Sequence, residues 1–289
     1  MSHQGMTPSS LNEAEPVQEI RGRVMFLARS KKSRSAIAPA RNYCCAMSDL
    51  VYPPVIALAK TMFRMLDLRI SVDGAEHIRR DGGAVLASNH VSYLDFIFCG
   101  LGAQHAGRRV RFMAKQEIFA HRIAGPLMRG MHHIPVDRNS GVGSYKAALA
   151  ALKEGEVVGV FPEATISQSF IVKDIKGGAA RMAAAAEVPL IPMALWGGQR
   201  LWTKGRPRAL TRRHVPISIL VGEPLLPRRR DDQAEVVAEL RTRMSTLLDR
   251  AQREYPDKPA GPDDEWWQPA HLGGAAPTPE SLMEDVPEC

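Results

Sequence analysis

The chain has 289 residues, of which 45% are apolar and 6% aromatic, and this is enough for one large domain with an aliphatic core. Its four cysteines form no C-x-x-C pair, and no run reaches the roughly 20 apolar residues of a membrane span, which argues against a disulfide scaffold, a zinc site and an integral membrane protein. Residues 1–46 carry a charge of +4 and residues 255–289 a charge of −7, which leaves +10 for residues 47–254 because the whole chain carries +7. A basic central region suits an anionic partner, such as a phospholipid headgroup, a phosphorylated substrate, an acidic carrier protein or nucleic acid.

The two ends of the chain are predicted to lie outside the folded domain. Residues 1–46 are polar and rich in Ser and Arg, without sustained periodicity, and are expected to form a disordered basic extension. They also lack the apolar region of a secretory signal peptide, so a cytoplasmic location is expected. Residues 255–289 are rich in Pro, Gly and acidic residues and are expected to form a disordered tail that docks through its only large apolar anchors, Trp266 and Trp267. Residues 47–254 remain as the domain.

An apolar segment with few charges, residues 49–66, opens this domain. Pro53 and Pro54 suit the start of a helix or a break between two short helices. Two interpretations remain open. The segment is either a helix lying in the membrane interface, with Lys60 and Arg64 at the headgroups, or an ordinary amphipathic helix that covers the core.

Apolar runs and helical patterns alternate through the rest of the domain. The strand candidates are residues 68–72, 84–88, 110–114, 133–136, 157–161, 190–195 and 217–221. The helical patterns are at residues 93–102, 116–129, 141–153, 176–186 and 233–253. Several strand candidates are apolar on both faces, so the sequence predicts an α/β fold with a largely parallel, mixed sheet flanked by helices.

A histidine and a carboxylate lie five positions apart directly after the strand candidate 84–88, in Asn-His-Val-Ser-Tyr-Leu-Asp at residues 89–95. At a strand end just ahead of a helix, His90 can sit at the mouth of a pocket. Asp95, about one turn further along, can accept its Nδ1–H and leave Nε2 free to take a proton. This arrangement is typical of a general base with its orienting group. The alternative is a capping box, in which Ser92 is the N-cap and Asp95 reaches back.

Three further segments place candidate functional residues at strand ends. One strand leads to Arg138, whose planar guanidinium either binds a phosphate or forms a surface ion pair. Another leads to Glu163, which either hydrogen-bonds substrate hydroxyls or stabilises a turn. Residues 188–197, a strand bracketed by prolines, form either an apolar pocket wall or an ordinary core strand. His132 and His133 are adjacent on a strand and therefore point to opposite faces, which argues against a metal site.

The order and spacing of these segments, H-x4-D, a strand followed by Arg, F-P-E-A-T and V-P-L-I-P, resemble the glycerolipid acyltransferase family, above all its 1-acylglycerol-3-phosphate (lysophosphatidate) acyltransferases. The resemblance covers roughly residues 50–225, and its first and third blocks are the specific ones. It implies transfer of a fatty acyl group from acyl-CoA or acyl-carrier protein to the free hydroxyl of lysophosphatidate, giving phosphatidate, with His90 as general base and Asp95 as its orienter. It also implies that no metal or bound cofactor takes part, and that the protein works peripherally at the cytoplasmic face of the membrane.

The same resemblance implies which residues bind the substrate. Arg138 would bind the phosphate of the acceptor. Glu163, with the backbone of Ala164 and Thr165, would position its glycerol part. Lys115 matches the family's lysine ahead of its second block and would assist with phosphate or with developing charge.

The chain departs from the family in the third block, which usually reads F-P-E-G-T-R-S. Ala164 stands in place of Gly, a mild change unless that residue needs a positive φ. Ile166 stands in place of Arg, which removes one possible hydrogen-bond donor to phosphate. Either Lys173, Lys176 or Arg181 compensates, or the acceptor is glycerol 3-phosphate or another lysolipid.

Two alternatives come from other functional classes. A Ser-His-Asp hydrolase would use Ser92, yet the sequence contains no G-x-S-x-G nucleophile turn. A non-catalytic binder of anionic lipid or nucleic acid would use the basic domain. Few aromatic residues interleave with the bases, however, and no helix-turn-helix or RNA-binding signature is present, so no nucleic acid partner is expected.

Overall fold

The computed structural model describes residues 50–137 and 141–284, and every structural statement below refers to these residues. The prediction of a disordered basic extension at residues 1–46 lies outside them, and so does Arg138. Within the described residues, strands alternate with helices and all the strands join one sheet.

Seven strands are present in the described residues, and each overlaps one of the strand candidates: β1 Arg69–Asp73, β2 Ala84–Ser88, β3 Val110–Lys115, β4 Ile134–Val136, β5 Val157–Val160, β6 Leu190–Trp196 and β7 Pro216–Val221. The sheet order is β1-β7-β6-β2-β5-β3-β4. Neighbouring strands are parallel except β6 and β7, which are antiparallel. The predicted α/β fold with a largely parallel, mixed sheet is confirmed.

The helices of the described residues are α1 Tyr52–Met65, α2 Asp95–His105, α3 Gln116–Ala120, α4 Ala124–Gly130, α5 Gly141–Lys153, α6 Gly178–Ala186, α7 Gln233–Arg253 and α8 Pro279–Glu284. Both prolines of α1 lie in its first turn, so they mark a helix start and not a break. The pattern at residues 116–129 forms two short helices instead of one, because His121 Nδ1 accepts hydrogen bonds from the backbone N–H groups of Ile123 and Ala124 and caps a new helix there. None of the helices in the described residues combines the length and the apolar character needed to cross a membrane.

The central strands are apolar throughout because helices cover both faces of the sheet. Every residue of β2, β5 and β6 is buried, so these strands show no alternation of apolar and polar residues. Successive residues of β2 face opposite layers. Leu86 belongs to the apolar cluster of Phe63 in α1 and Phe98 in α2, whereas Val85 belongs to the cluster of α5, α6 and α7, which includes Met244.

The segment after α7 folds onto the domain, so the predicted disorder is wrong for residues 255–284, whereas the predicted docking through Trp266 and Trp267 is confirmed. Trp267 is 2% exposed and packs in the core cluster of α5–α7. Asp257 forms ion pairs of 2.6 Å with Arg69 of β1 and with Arg200. The Arg200 guanidinium in turn lies 4.5 Å from the Trp267 ring centroid. Composition alone suggested a tail because it does not reveal these long-range partners.

One edge of the sheet collects the candidate functional residues. The strands β6, β2, β5, β3 and β4 are parallel to one another and end at this edge, where the chain reaches Gly197, His90, Glu163, Lys115 and Asp137. Ligands of open α/β sheets bind at the carboxyl ends of the strands. Since neighbouring strands are only about 4.8 Å apart, the topology brings the turn that follows β2 next to the turn that follows β5.

Candidate active site

The turn after β2 holds His90 and Asp95 together. His90 Nδ1 lies 3.0 Å from Asp95 Oδ2, and the same oxygen accepts hydrogen bonds of 2.7 Å from the backbone N–H groups of Val91 and Ser92. Asp95 therefore both orients the imidazole and reaches back to the Ser92 N–H, as a capping box requires, but the N-cap of α2 is Leu94 and the prediction of Ser92 as N-cap is wrong. The side chain of His90 is 21% exposed and that of Asp95 is 1% exposed. Because Nδ1 faces the carboxylate, Nε2 is the ring nitrogen left to meet a substrate.

The surroundings of Asp95 act on its ionisation in opposite directions. Burial raises the pKa of Asp95 above its ordinary value of 3.8, while its hydrogen bond with His90, the charge of His90 and the two backbone amides favour the ionised form. All of these donors converge on Oδ2. A carboxylate held in this way keeps the proton of a neutral His90 on Nδ1 and leaves a lone pair on Nε2.

The turn after β5 supports His90 from the other side. The Phe161 ring stacks on the His90 ring, with 4.5 Å between the centroids and 24° between the planes. The backbone of His90 is held at both ends: its N–H donates to Glu163 Oε1 at 2.8 Å, and its carbonyl accepts from Ser167 N–H at 2.7 Å. These contacts restrict the imidazole to one orientation.

Glu163 is a buried link between two loops. It is 6% exposed, and its second oxygen, Oε2, accepts a hydrogen bond of 3.1 Å from the backbone N–H of Lys173. This geometry favours a loop-holding role over direct contact with substrate hydroxyls. Burial raises the pKa of Glu163 to about 7, although the two amide hydrogen bonds and the nearby charge of Lys173 favour the ionised form.

The residues after Glu163 form the exposed part of this turn. Ala164 and Thr165 are exposed, whereas Ile166 is 7% exposed and points into the protein. Lys173 Nζ donates to the Thr165 carbonyl at 2.9 Å and to Thr165 Oγ1 at 2.6 Å. Of the three residues considered as replacements for the missing arginine, Lys173 is therefore the one whose side chain contacts this turn.

A loop that sequence reasoning did not single out braces the His90 turn from behind. Ser92 Oγ lies 3.0 Å from the carbonyl oxygen of Gly198 and 2.7 Å from that of Trp202, and Thr203 Oγ1 donates to the Val91 carbonyl at 2.7 Å. Tyr93 N–H also donates to the Trp202 carbonyl at 3.1 Å. The Trp-Gly-Gly at the end of β6 signalled a loop at this sheet edge, but not its partners.

The position of Ser92 argues against the serine-hydrolase alternative. Ser92 is fully buried, and its hydroxyl is engaged by backbone groups, including the N–H of Leu94 at 3.1 Å. A hydroxyl in this environment is not presented to a substrate. Its role is to hold the turn that carries His90.

The other predicted residues occupy varied positions. Lys115 is exposed at the end of β3.

His133 accepts a hydrogen bond from the backbone N–H of Phe112. Burial, together with the charges of Arg111 and His132, lowers the pKa of His133 to about 4. The described part of the chain contains no group of three or more His, Cys, Asp or Glu residues arranged to hold a metal ion. The pocket-wall interpretation of residues 188–197 is not supported, because β6 is a core strand that is buried throughout.

Comparison with known proteins places this architecture among acyltransferases. A family model described as Acyltransferase matches residues 69–196. The 1-acyl-sn-glycerol-3-phosphate acyltransferase of Limnanthes douglasii is 31% identical over 160 residues, which are 54% of each protein. The one from Bacillus subtilis (strain 168) is 34% identical over 167 residues, which are 56% of this chain and 77% of that protein.

The chain belongs to the glycerolipid acyltransferase family. It is an O-acyltransferase. Its fold is that of PlsC, the 1-acyl-sn-glycerophosphate acyltransferase from Thermotoga maritima, with a TM-score of 0.58 at 22% identity over 71% of this chain and 80% of that one.

The acyltransferase carries backbone strain at Ala164. This residue has a φ of 62°, in the left-handed region where a Cβ atom costs about 1–2 kcal/mol. The replacement of the family's Gly is therefore not a mild change. We expect Ala164→Gly to raise the free energy of unfolding by about 0.5–1 kcal/mol, since glycine's greater freedom in the unfolded chain offsets part of the relief. Urea unfolding measures this change.

Ala57→Gly, at an exposed position within α1, is the control and should lower the free energy of unfolding by about 1 kcal/mol. A similar loss for Ala164→Gly would contradict the strain argument.

Proposed function

We propose that this acyltransferase moves a fatty acyl group from a thioester donor to the free hydroxyl of lysophosphatidate, giving phosphatidate. The observation that carries the proposal is the partly exposed His90, which is oriented by Asp95 at the carboxyl edge of the sheet. The names of the relatives from Bacillus subtilis and Limnanthes douglasii support this acceptor.

In the proposed reaction His90 is the general base. An alcohol is a poor nucleophile at neutral pH, so His90 Nε2 takes its proton as the oxygen attacks the thioester carbonyl. The tetrahedral oxyanion is stabilised by backbone N–H groups or by Lys115. When the intermediate collapses, the carbon–sulfur bond breaks and the thiolate leaves with the proton held by His90. The thioester itself supplies the leaving group, so these steps call for no metal or bound cofactor.

The acceptor is bound around the turn after β5. In this proposal Arg138 contacts the phosphate, and the exposed Ala164 and Thr165 contact the glycerol part. Glu163 acts through the backbone: it holds the amide of His90 and does not touch the substrate.

The test is acyl transfer with purified protein and labelled donors. Lysophosphatidate and glycerol 3-phosphate are compared as acceptors, each with acyl-CoA and with acyl-carrier protein. Labelled phosphatidate as the main product supports the proposal, and the better donor identifies the thioester. Acylation of glycerol 3-phosphate alone would overturn the acceptor assignment. Release of free fatty acid without any transfer would overturn the proposed reaction.

We further propose that the enzyme docks on an anionic membrane surface through α1. Tyr52 and Phe63 are buried, so one face of α1 packs on the domain. Leu58, Met62 and Met65 share another face and are 72%, 42% and 70% exposed. The buried face agrees with a helix that covers the core, and the exposed apolar face supports the proposal that the same helix lies in the membrane interface.

Charge on this apolar face should weaken binding to vesicles. We expect Leu58→Asp with Met65→Asp to reduce binding to vesicles of phosphatidylcholine and phosphatidylglycerol at least about tenfold, because burying each apolar side chain contributes about 1.5–3 kcal/mol. Vesicle flotation measures the change. Leu226→Asp is the matched control, because Leu226 is also 72% exposed but lies outside α1, next to Leu225, which pairs with Leu190 of β6. Unchanged flotation of the double variant would refute docking through α1.

A further inference from the structure

Lys173 reaches the exposed turn beside His90 by two routes. Its backbone N–H is bound to Glu163, the same carboxylate that holds the His90 amide. Its ammonium group bridges the carbonyl and the hydroxyl of Thr165, and both of these acceptors are neutral. The lysine charge is therefore fixed at the mouth of the candidate site.

A second cluster of positive charge lies close to Lys173. Lys204, Gly205 and Arg206 line a cavity of about 220 Å³ together with Trp266. The guanidinium of Arg206 lies 4.9 Å from the Trp266 ring centroid, which holds it at the cavity wall. Thr203, whose hydroxyl binds the turn of His90, lines the same cavity. The basic segment is thus anchored to the loop that braces the candidate base.

Lys173 lies near the charge of Glu163 without forming a salt bridge to it. Neither Lys173 nor Lys204 forms an ion pair with a described carboxylate, and nearby Asp174 pairs with Arg241 instead. Burial lowers the pKa of Lys173, the charge of Glu163 opposes this change, and the charge of Lys204 lowers the pKa further. Gln168, which lies between Thr165 and Lys173, lines the same cavity as Lys204, so the two lysines are on adjoining segments and would both attract an anion bound there.

We propose that Lys173 and Lys204, with Arg206 at the adjoining cavity, form a phosphate-binding site beside the Glu163–Thr165 turn. Lysine is a point-charge ligand for phosphate, and two lysines with a guanidinium supply donors from several directions. The phosphate belongs either to the acceptor or to the nucleotide part of a coenzyme A donor, and this choice rests on the proposed function. Ile166 stands where the family has an arginine, and the positive charges of this site would take over the binding of phosphate that the arginine would otherwise provide.

Binding is tested with two probes that need no acyl transfer. Isothermal titration calorimetry with glycerol 3-phosphate represents the acceptor, and titration with adenosine 3′,5′-bisphosphate represents coenzyme A. We expect Lys173→Met and Lys204→Met each to raise Kd about tenfold for the true ligand, and the double variant to raise it about 30- to 100-fold, because each lysine gives a charge-assisted hydrogen bond. In the acylation assay, KM for the matching substrate should rise by the same factor.

Lys153→Met is the matched control, since Lys153 is exposed at the end of α5 and leads to the amino end of β5, at the opposite edge of the sheet. Lys204→Met should leave the fold intact, because the Lys204 side chain makes no hydrogen bond or ion pair in the described structure. Weaker binding by this variant would therefore report on the site and not on misfolding. Weaker binding of glycerol 3-phosphate assigns the site to the acceptor, and weaker binding of the bisphosphate assigns it to the donor. Equal Kd values for wild type and the double variant with both probes, or no binding of either probe by wild type, would overturn the site. Lysine-dependent binding without phosphatidate formation would leave the site standing and reject the proposed function.

Discussion

His90→Ala is expected to lower kcat for acyl transfer about 1,000-fold, because a positioned general base contributes roughly 100- to 10,000-fold. The imidazole is held by Asp95 and Phe161, and its substitution removes the base while the hydrogen bonds of the residue 90 backbone to Glu163 and Ser167 remain available. Steady-state kinetics with labelled donor measures the loss. Unfolding in urea should show a loss of about 1–3 kcal/mol, because the buried carboxylate of Asp95 loses one hydrogen-bond partner.

Ser92→Ala is the control that separates chemistry from support. Its hydroxyl bonds to the Gly198 and Trp202 loop, so we expect a loss of about 1–2 kcal/mol in the free energy of unfolding and a kcat close to that of wild type. If the two variants lose kcat to the same extent while Ser92→Ala stays folded, His90 is not the base and a serine nucleophile has to be considered again.

Glu163→Ala is expected to lower the free energy of unfolding by about 3 kcal/mol, because the buried backbone N–H groups of His90 and Lys173 both lose their acceptor. The same change frees the His90 backbone, so kcat should fall while KM for the acceptor stays near its wild-type value. Glu163→Gln retains one acceptor oxygen and should keep part of the stability. A rise in KM with kcat unchanged would instead show that Glu163 binds the substrate directly.

The pH dependence of stability gives a second measurement on Glu163. Its pKa is raised from 4.5 in the ordinary case to about 7 in the fold, so the folded protein keeps a proton that the unfolded chain has already released. The stability gained in this way is fully present below pH 4.5 and is lost as the pH rises through 7. Relative to Glu163→Gln, which does not titrate, wild type should therefore lose up to about 3 kcal/mol between those limits. A difference that stays constant or grows with pH would contradict the raised pKa.

Local patterns were sufficient to predict the sheet. The strands β2, β5 and β6 are apolar along their whole length because they are buried on both faces, and such runs are visible in any window of sequence. The H-x4-D motif was visible for a similar reason, because His90 and Asp95 lie on one turn and are brought together by local geometry.

Contacts between distant segments could not be predicted in the same way. The bonds from Ser92 and Val91 to the Gly198–Thr203 loop join residues more than 100 positions apart, and no periodicity records them. The break at His121 depends on an imidazole cap, which propensity does not show. The sequence left open whether Glu163 binds substrate or stabilises a turn, and its position between two backbone amides is seen only once β2 and β5 are paired.

The anchoring of Arg200 has a consequence for how the enzyme is made. Arg200 lies in the loop that braces the His90 turn, and its buried guanidinium pairs through Nη1 with Asp257 and packs against the face of Trp267, near the end of the described chain. Asp257 and Trp267 follow the last strand, which ends at Val221, so they are synthesised and leave the ribosome after every strand of the sheet. The support of His90 through this loop is therefore complete only after Trp267 has left the exit tunnel.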